Sequence, residues 1–334
     1  MRISMVVTMA AMFAVVVGAA AAPPHRASSD KGTVFALQRF EAYYGGVQLT
    51  KANPENCDLK TDGSKLNKYY AERFIAVDHP KGVAYTIALE QNNSQPAGPF
   101  APYLVSLSLS DGEVQLQKPL TDLSPQYLGL ESFGIDVASD GTVVIVSRTN
   151  DDPQNHHVFT YDVSSDTLTD LGGKVGGKNA ILCSTLDVHQ NILHVAYGNK
   201  IYAIDITDKA APVTAFPNKQ NLCTMDFNPS DGLIYGIGLN GYQERTLASL
   251  NATSGKSKDI GTIGQNLAIA LDGLSTLDYD AGMLYAFLGT YSPIAEMYQL
   301  YAIDLSNGYA KSNCGSFPGS DCCEALAYHA LSQP

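Results

Sequence analysis

Tryptophan is absent from this chain, and charge is scarce: Asp, Glu, Lys and Arg make up only 16% of its 334 residues. Bases are the minority even there, 21 against 33 acids, giving a formal net charge of −12. A chain this acidic repels phosphates instead of neutralising them, which excludes a general affinity for nucleic acid or for an anionic membrane surface. Beyond the first 22 residues no apolar run comes near the length of a membrane span, and no stretch shows the periodicity of an amphipathic helix. Close-spaced metal motifs and nucleophile–base motifs are missing too.

What is present in quantity is apolar. Hydrophobic residues make up 45% of the chain, ample for a large core, and tyrosines number 19. Tyrosine suits half-buried strand faces that keep one polar end wet. Residues 1–22 begin with Arg2, continue through an apolar run rich in small residues, and offer A-x-A cleavage options near Ala19–Ala22, just before Pro23 and Pro24. The run is about 18 residues, at the lower limit for a span. We read it as a cleaved secretory signal, which leaves no membrane insertion in the mature chain. A polar, Pro-rich tail (23–31) follows, and residues 32–334 form one domain, expected to be extracellular and monomeric.

All six cysteines follow the signal: Cys57, Cys183, Cys223, Cys314, Cys322 and Cys323. An even count on an exported chain favours disulfides, although six cysteines permit fifteen pairings. Cys183 and Cys223 stand at equivalent places in neighbouring repeats, and a bridge between them is expected. Cys57 and the trio near the C-terminus are placed to lock the two ends together, a cross-link worth roughly 4–5 kcal/mol by chain entropy. Two sequons, at Asn92 and Asn251, fall on expected loops or turns and would accept glycans in a eukaryotic source.

One unit recurs along the chain, most clearly in Leu274–Ser306. A short apolar strand ends in Asp, a tight turn follows, and two further strands and a weaker fourth complete the unit. Aligned on that Asp, the copies fall at Asp78, Asp136, Asp187, Asp226 and Asp278, with spacings of 58, 51, 39 and 52 residues. The five aspartates are expected to fix their turns by accepting backbone N–H bonds. A sixth partial copy, CCEALAYH, starts at Cys322 and supplies only a first strand; residues from Thr33 onward supply the strands it lacks. A repeat near 50 residues with four strands per unit is the signature of a propeller blade. The expected architecture is therefore an all-β, six-bladed β-propeller whose last blade is shared between the C-terminal strand and the N-terminal strands. The pattern D-x(3–5)-G-x-L-Y … L-Y-x-I-D-x-x-x-G resembles six-bladed β-propellers as a superfamily over roughly residues 32–330. It lacks the Trp-Asp ending of WD-type repeats and the Asp-box of sialidases, so no single family's active site carries over.

In such a fold the usual site is one mouth of the central channel. Residues shortly before the first strands are Glu72, Arg73, Glu131, Asn221, Asp272 and Glu324. Glu131, Asn221, Asp272 and Glu324 offer oxygens from different blades, the donor chemistry of calcium. The layout is similar in position to that of metal-dependent lactonases. His156 and His157, beside Asp151 and Asp152, form the densest polar cluster. They are candidates for ligand contact, but adjacent strand residues point to opposite faces and seldom share a zinc or copper ion. Long, unequal loops between second and third strands build an uneven mouth, where binding usually resides. The first expectation is a binding module for an extracellular glycan, peptide or protein. The alternative is a calcium-dependent hydrolase or lactonase.

Overall fold

The structure is a computed structural model and describes residues 33–39, 47–52, 59–66, 69–90, 100–123, 133–176, 181, 183–208, 212–239, 244–264, 267–269, 275–290, 297–312 and 323–329. The expected signal and tail lie outside these residues, as do Cys57, Asn92, Glu131, Asp272, Cys314 and Cys322. Every regular element among the described residues is a β-strand.

The first three strands are β1 (Thr33–Arg39), β2 (Val47–Ala52) and β3 (Leu59–Leu66). A four-stranded sheet follows: β4 (Tyr69–Asp78), β5 (Val83–Glu90), β6 (Ala101–Ser108) and β7 (Val114–Pro119). The next comprises β8 (Gly134–Val137), β9 (Val143–Arg148), β10 (His156–Asp162) and β11 (Thr167–Val175). Then come β12 (Cys183–Asp187), β13 (Ile192–Tyr197), β14 (Lys200–Asp205) and β15 (Val213–Pro217). They are followed by β16 (Asp226–Asn228), β17 (Leu233–Leu239), β18 (Arg245–Asn251) and β19 (Ser257–Gly264). A five-stranded sheet holds β20 (Leu267–Ile269), β21 (Ser275–Asp278), β22 (Met283–Thr290), β23 (Met297–Asp304) and β24 (Ala310–Ser312). Finally β25 (Cys323–His329) returns to pair antiparallel with β1, Val34 opposite Tyr328 and Ala36 opposite Leu326. Five sheets are thus contiguous in sequence, and a sixth is assembled from both ends.

The first strands of successive sheets meet in a closed sequence: β4 touches β8, β8 touches β12, β12 touches β16, β16 touches β21, β21 touches β25, and β25 touches β4. They surround the central channel. β20 and β21 share the inner edge of β22, so the inner position of that sheet is filled in two pieces that the sequence pattern did not separate.

Burial explains why the sequence pattern varies along each unit. The second strands are covered on both faces by adjoining sheets, and Val143, Val144, Ile145 and Val146 are all buried on consecutive positions. The outer strand β7 alternates half-buried and exposed residues, the pattern of a strand with one face in solvent. Gly236 and Gly238 have a separate cause. The backbone of Gln220–Thr224 lies directly against β17, with Cys223 N donating to Ile237 O at 3.0 Å, and a Cβ on either glycine would run into a backbone carbonyl of that segment.

Four of the first hairpins share one four-residue turn, whose last residue takes a left-handed conformation: Gly82, Asn191, Gly232 and Gly282. The side chains that open these turns belong to Asp78, Asp187, Asn228 and Asp278. Each accepts a backbone N–H: Lys81 N at 3.2 Å, His189 N at 3.0 Å, Ser230 N at 2.9 Å and Ala281 N at 2.9 Å. Asp136 and Asp226 are not in this set, which corrects the equivalence expected of the five aspartates. In both sheets the turn opens two residues later, at Ala138 and Asn228, so the two carboxylates are released from turn duty.

The expected Cys183–Cys223 bridge is also corrected: both are buried thiols. Cys183 packs in an apolar cluster that includes Leu222, while the neighbouring Cys223 turns its Sγ to Ile237 O at 3.3 Å. Cys323 is described only as part of β25, without its side chain.

Candidate binding site in the central channel

Strands β4, β8, β12, β16 and β21, with the turns that follow them, enclose a cavity of about 410 Å³. Its wall is mixed, only slightly more apolar than polar, with Ile75, Val77, Leu186, Met225 and Leu277 among the lining residues. Set into that wall are the carboxylates of Asp136 and Asp226 and the hydroxyls of Ser184 and Ser275. Strand direction explains their placement. A residue two steps before the turn opener reaches across to the next first strand. Asp136 Oδ2 accepts from Ser184 Oγ on β12 at 3.3 Å, Thr185 Oγ1 accepts from Phe227 N on β16 at 2.9 Å, and Asp226 Oδ2 accepts from Ser275 Oγ on β21. Gly134 leaves the room that Ser184 needs, because a Cβ there would crowd the serine hydroxyl.

These two carboxylates are the electrostatic centre of the channel. Burial pushes Asp136 up to about 7; the Ser184 hydroxyl opposes the rise, the charge of Asp226 adds to it, and the Leu186 backbone N–H opposes it. Burial likewise raises Asp226 to about 6, against the stabilising bond from Ser275. Both groups are part-exposed, and they line the cavity. Among its described residues the wall contains no Lys or Arg. Asp78, which also lines it, is tied to Lys81 Nζ at 2.8 Å and to its own turn.

Of the ligand- and metal-site residues singled out from sequence, Asn221, His156 and His157 are described with their side chains, and none of the three lines this cavity. Asn221 is an exposed turn residue with φ of 47°, its N–H bonded to Asn218 O, and it does not line the cavity. Glu72 and Arg73 lie on β4 and Glu324 on β25, with the backbone alone described. Asn251 ends β18, and its Oδ1 accepts from Ser254 N and Oγ, both at 2.8 Å, as the opening side chain of a turn.

His156 and His157 point to opposite faces of β10, as their adjacency requires. His156 is completely buried, neither ring nitrogen has a hydrogen-bond partner, and its ring meets Tyr197 edge-on at 5.9 Å. Burial lowers it to about 3. His157 lines a second, open cavity of about 690 Å³ at the outer part of the sheet. There its Nδ1 lies 2.8 Å from Asp170 Oδ2 and its Nε2 lies 3.3 Å from Asp152 Oδ2. Lys174 Nζ reaches the same Asp152 oxygen at 2.7 Å, and the lysine, Asn155 and His157 together hold that carboxyl well below its usual range. Because carboxylates only accept, the imidazole satisfies both contacts when both its nitrogens carry protons. This cluster is internally paired. Among the described residues no group of three or more His, Cys, Asp or Glu side chains is arranged to hold a metal ion.

The channel carboxylates were present in the sequence but misassigned. The signal that separates them is local: Asp226 is followed by Asn228-Pro229 and Asp136 by Ala138-Ser139-Asp140-Gly141, so a second turn former stands two or four residues further on. At Asp78, Asp187 and Asp278 the turn begins at once.

No family model matches this chain, and no curated protein matches it in sequence. Solved structures do match it in shape. TolB from Acinetobacter baumannii superimposes with a TM-score of 0.63 at 13% identity, over 89% of this chain and 66% of that one. This chain therefore spans just under two thirds of that TolB chain. A chain of a nidogen/laminin complex gives 0.58 at 14% identity, over 91% of this chain and all (100%) of the other. SapL1 lectin, solved in complex with alpha methyl fucoside, gives 0.55 at 12% identity, over 86% and 96%. Likeness at these identities establishes the fold: the chain is an all-β propeller.

Proposed function

We propose that this protein is a secreted propeller of six blades, one per sheet, that acts as an extracellular interaction module and holds its ligand at the central channel. The observation that carries this reading is the channel cavity. Its volume lies within the range of small-ligand sites, and its wall combines apolar surface with a few convergent polar groups and two perturbed carboxylates, the composition such sites share. Fold analogy adds support, since chains of similar shape have been solved in a nidogen/laminin complex and with a bound fucoside. The ligand class is a glycan, peptide or protein of the extracellular space.

The test is a screen of the purified protein against glycan and extracellular-protein arrays, run beside Ile75→Trp, which fills the cavity from a part-exposed wall position. Tyr309→Ala, at an outer residue that is 69% exposed, serves as control. Binding that survives Tyr309→Ala and is lost in Ile75→Trp supports the reading. Binding that survives the filled cavity, or an array with no specific partner, contradicts it.

A further inference from the structure

We infer that the channel cavity recognises a primary alkylammonium, an amine head on an apolar stem, with Asp136 and Asp226 pairing the head and the cavity wall holding the stem. The inference rests on the reading above that the cavity is the ligand site. Asp136 and Asp226 come from β8 and β16, and each senses hydroxyl or N–H donors, not a basic side chain. Among the described lining residues no Lys or Arg balances them, and the histidine there is His79, at the turn after β4. A carboxylate partly shielded from water gains from a counter-charge or a proton. A ligand cation supplies that counter-charge and displaces the need for the proton.

Two observations favour an organic cation over a divalent metal. Calcium requires six to eight oxygens, and among the described residues no group of three or more acidic, His or Cys side chains is placed to hold an ion. The wall around the carboxylates is apolar at Ile75, Val77, Met225 and Leu277, surface that an alkyl stem covers and a hydrated ion does not. The stem can belong to a free amine or to a lysine side chain, and the two present the same head.

The test is calorimetry on the purified protein with butylamine, cyclohexylamine and Nα-acetyl-lysine-N-methylamide, each beside its N-acetylated, uncharged counterpart, and with calcium chloride. The charged forms are expected to bind and the acetylated forms to give no heat. Asp136→Asn and Asp226→Asn, nearly isosteric changes, are each expected to weaken binding by about 10- to 100-fold, the loss of one charged hydrogen bond. Binding by the lysine derivative alone assigns the source to a peptide or protein; binding by the free amines as well assigns it to the ammonium head itself. Equal binding of charged and acetylated forms overturns the inference, whatever the variants do. So does calcium heat that the variants abolish while no amine binds. Silence from every amine also overturns it, while the interaction-module reading then still stands or falls with the array and Ile75→Trp.

Discussion

Thr185 and Asp226 occupy the same step of successive repeats, each two residues before the side chain that opens the hairpin and each bonded to the next first strand. Thr185 Oγ1 accepts from Phe227 N at 2.9 Å, while Asp226 accepts from the Ser275 hydroxyl. The strand-to-strand tie therefore does not require a carboxylate, and the charge at Asp226 is surplus to the architecture. Asp226→Thr is expected to fold with stability within about 1 kcal/mol of the parent, because a hydroxyl replaces the tie with a neutral hydrogen bond. It should nevertheless lose the amine binding proposed above. Urea melts and calorimetry on this single variant separate the two roles.

Asn228 carries the turn that Asp226 does not. It is buried, and its Oδ1 accepts Ser230 N at 2.9 Å. Asn228→Ala removes that acceptor and should cost about 0.5–1.5 kcal/mol, with ligand binding unchanged. Denaturant melts check the first expectation and the amine titration the second.

Raised carboxyl pKa values make a signed statement about stability. Asp136 binds its proton more tightly in the folded state, at about 7, than in the unfolded chain. Between roughly pH 4 and 7 the folded state thus holds the extra proton, and this group's contribution falls as pH rises through that window. The stability of the parent relative to Asp136→Asn is expected to decline from pH 5 to pH 8. Differential scanning calorimetry of both proteins across that range reads it.

His156 should show the opposite sign. Its folded value is depressed to about 3, so the unfolded chain takes the proton first, and stability is lost as pH falls below the normal histidine range. Both ring nitrogens are buried with no hydrogen-bond partner. His156→Phe is therefore expected to be neutral or stabilising by up to about 2 kcal/mol, since it removes unsatisfied polar atoms. Its advantage over the parent should widen from pH 7 to pH 5, as thermal melts at the two values will show.

Cys183 and Cys223 are thiols in buried positions. Ellman's reagent should find neither in the native protein. At least two thiols should react when the unreduced protein is unfolded in guanidinium chloride, and labelling with mass mapping should place the modification on these two residues.

Much of the fold was legible because its repeat is written in short-range chemistry. Apolar strands, Gly or Asn closing the turns, and the complementary end strands all leave marks at fixed spacing, and β25 pairs with β1 where the missing first strand was expected. The site was less legible for physical reasons that particular residues show. Asp136 and Asp226 look in sequence like Asp187, and only the two-residue delay of the turn turns them toward the next strand. Cys183 and Cys223 stand at comparable places along neighbouring units, yet chain proximity carries no side-chain direction, and the Sγ of Cys223 is committed to Ile237 O. The polar cluster at His157 was visible, whereas its internal pairing with Asp170, an acid thirteen residues away, depends on the β10–β11 register.

Two carboxylates share the channel, partly shielded from water, with no Lys or Arg among the described residues of its wall. Carbon-13 NMR titration of the aspartate carboxyl groups tests this directly, with Asp136→Asn and Asp226→Asn assigning the signals. One resonance titrating near pH 7 and one near pH 6, each lost in its own variant, is the expected result. If both groups titrate below about pH 5, in the range of ordinary solvated carboxylates, the account of the channel is wrong.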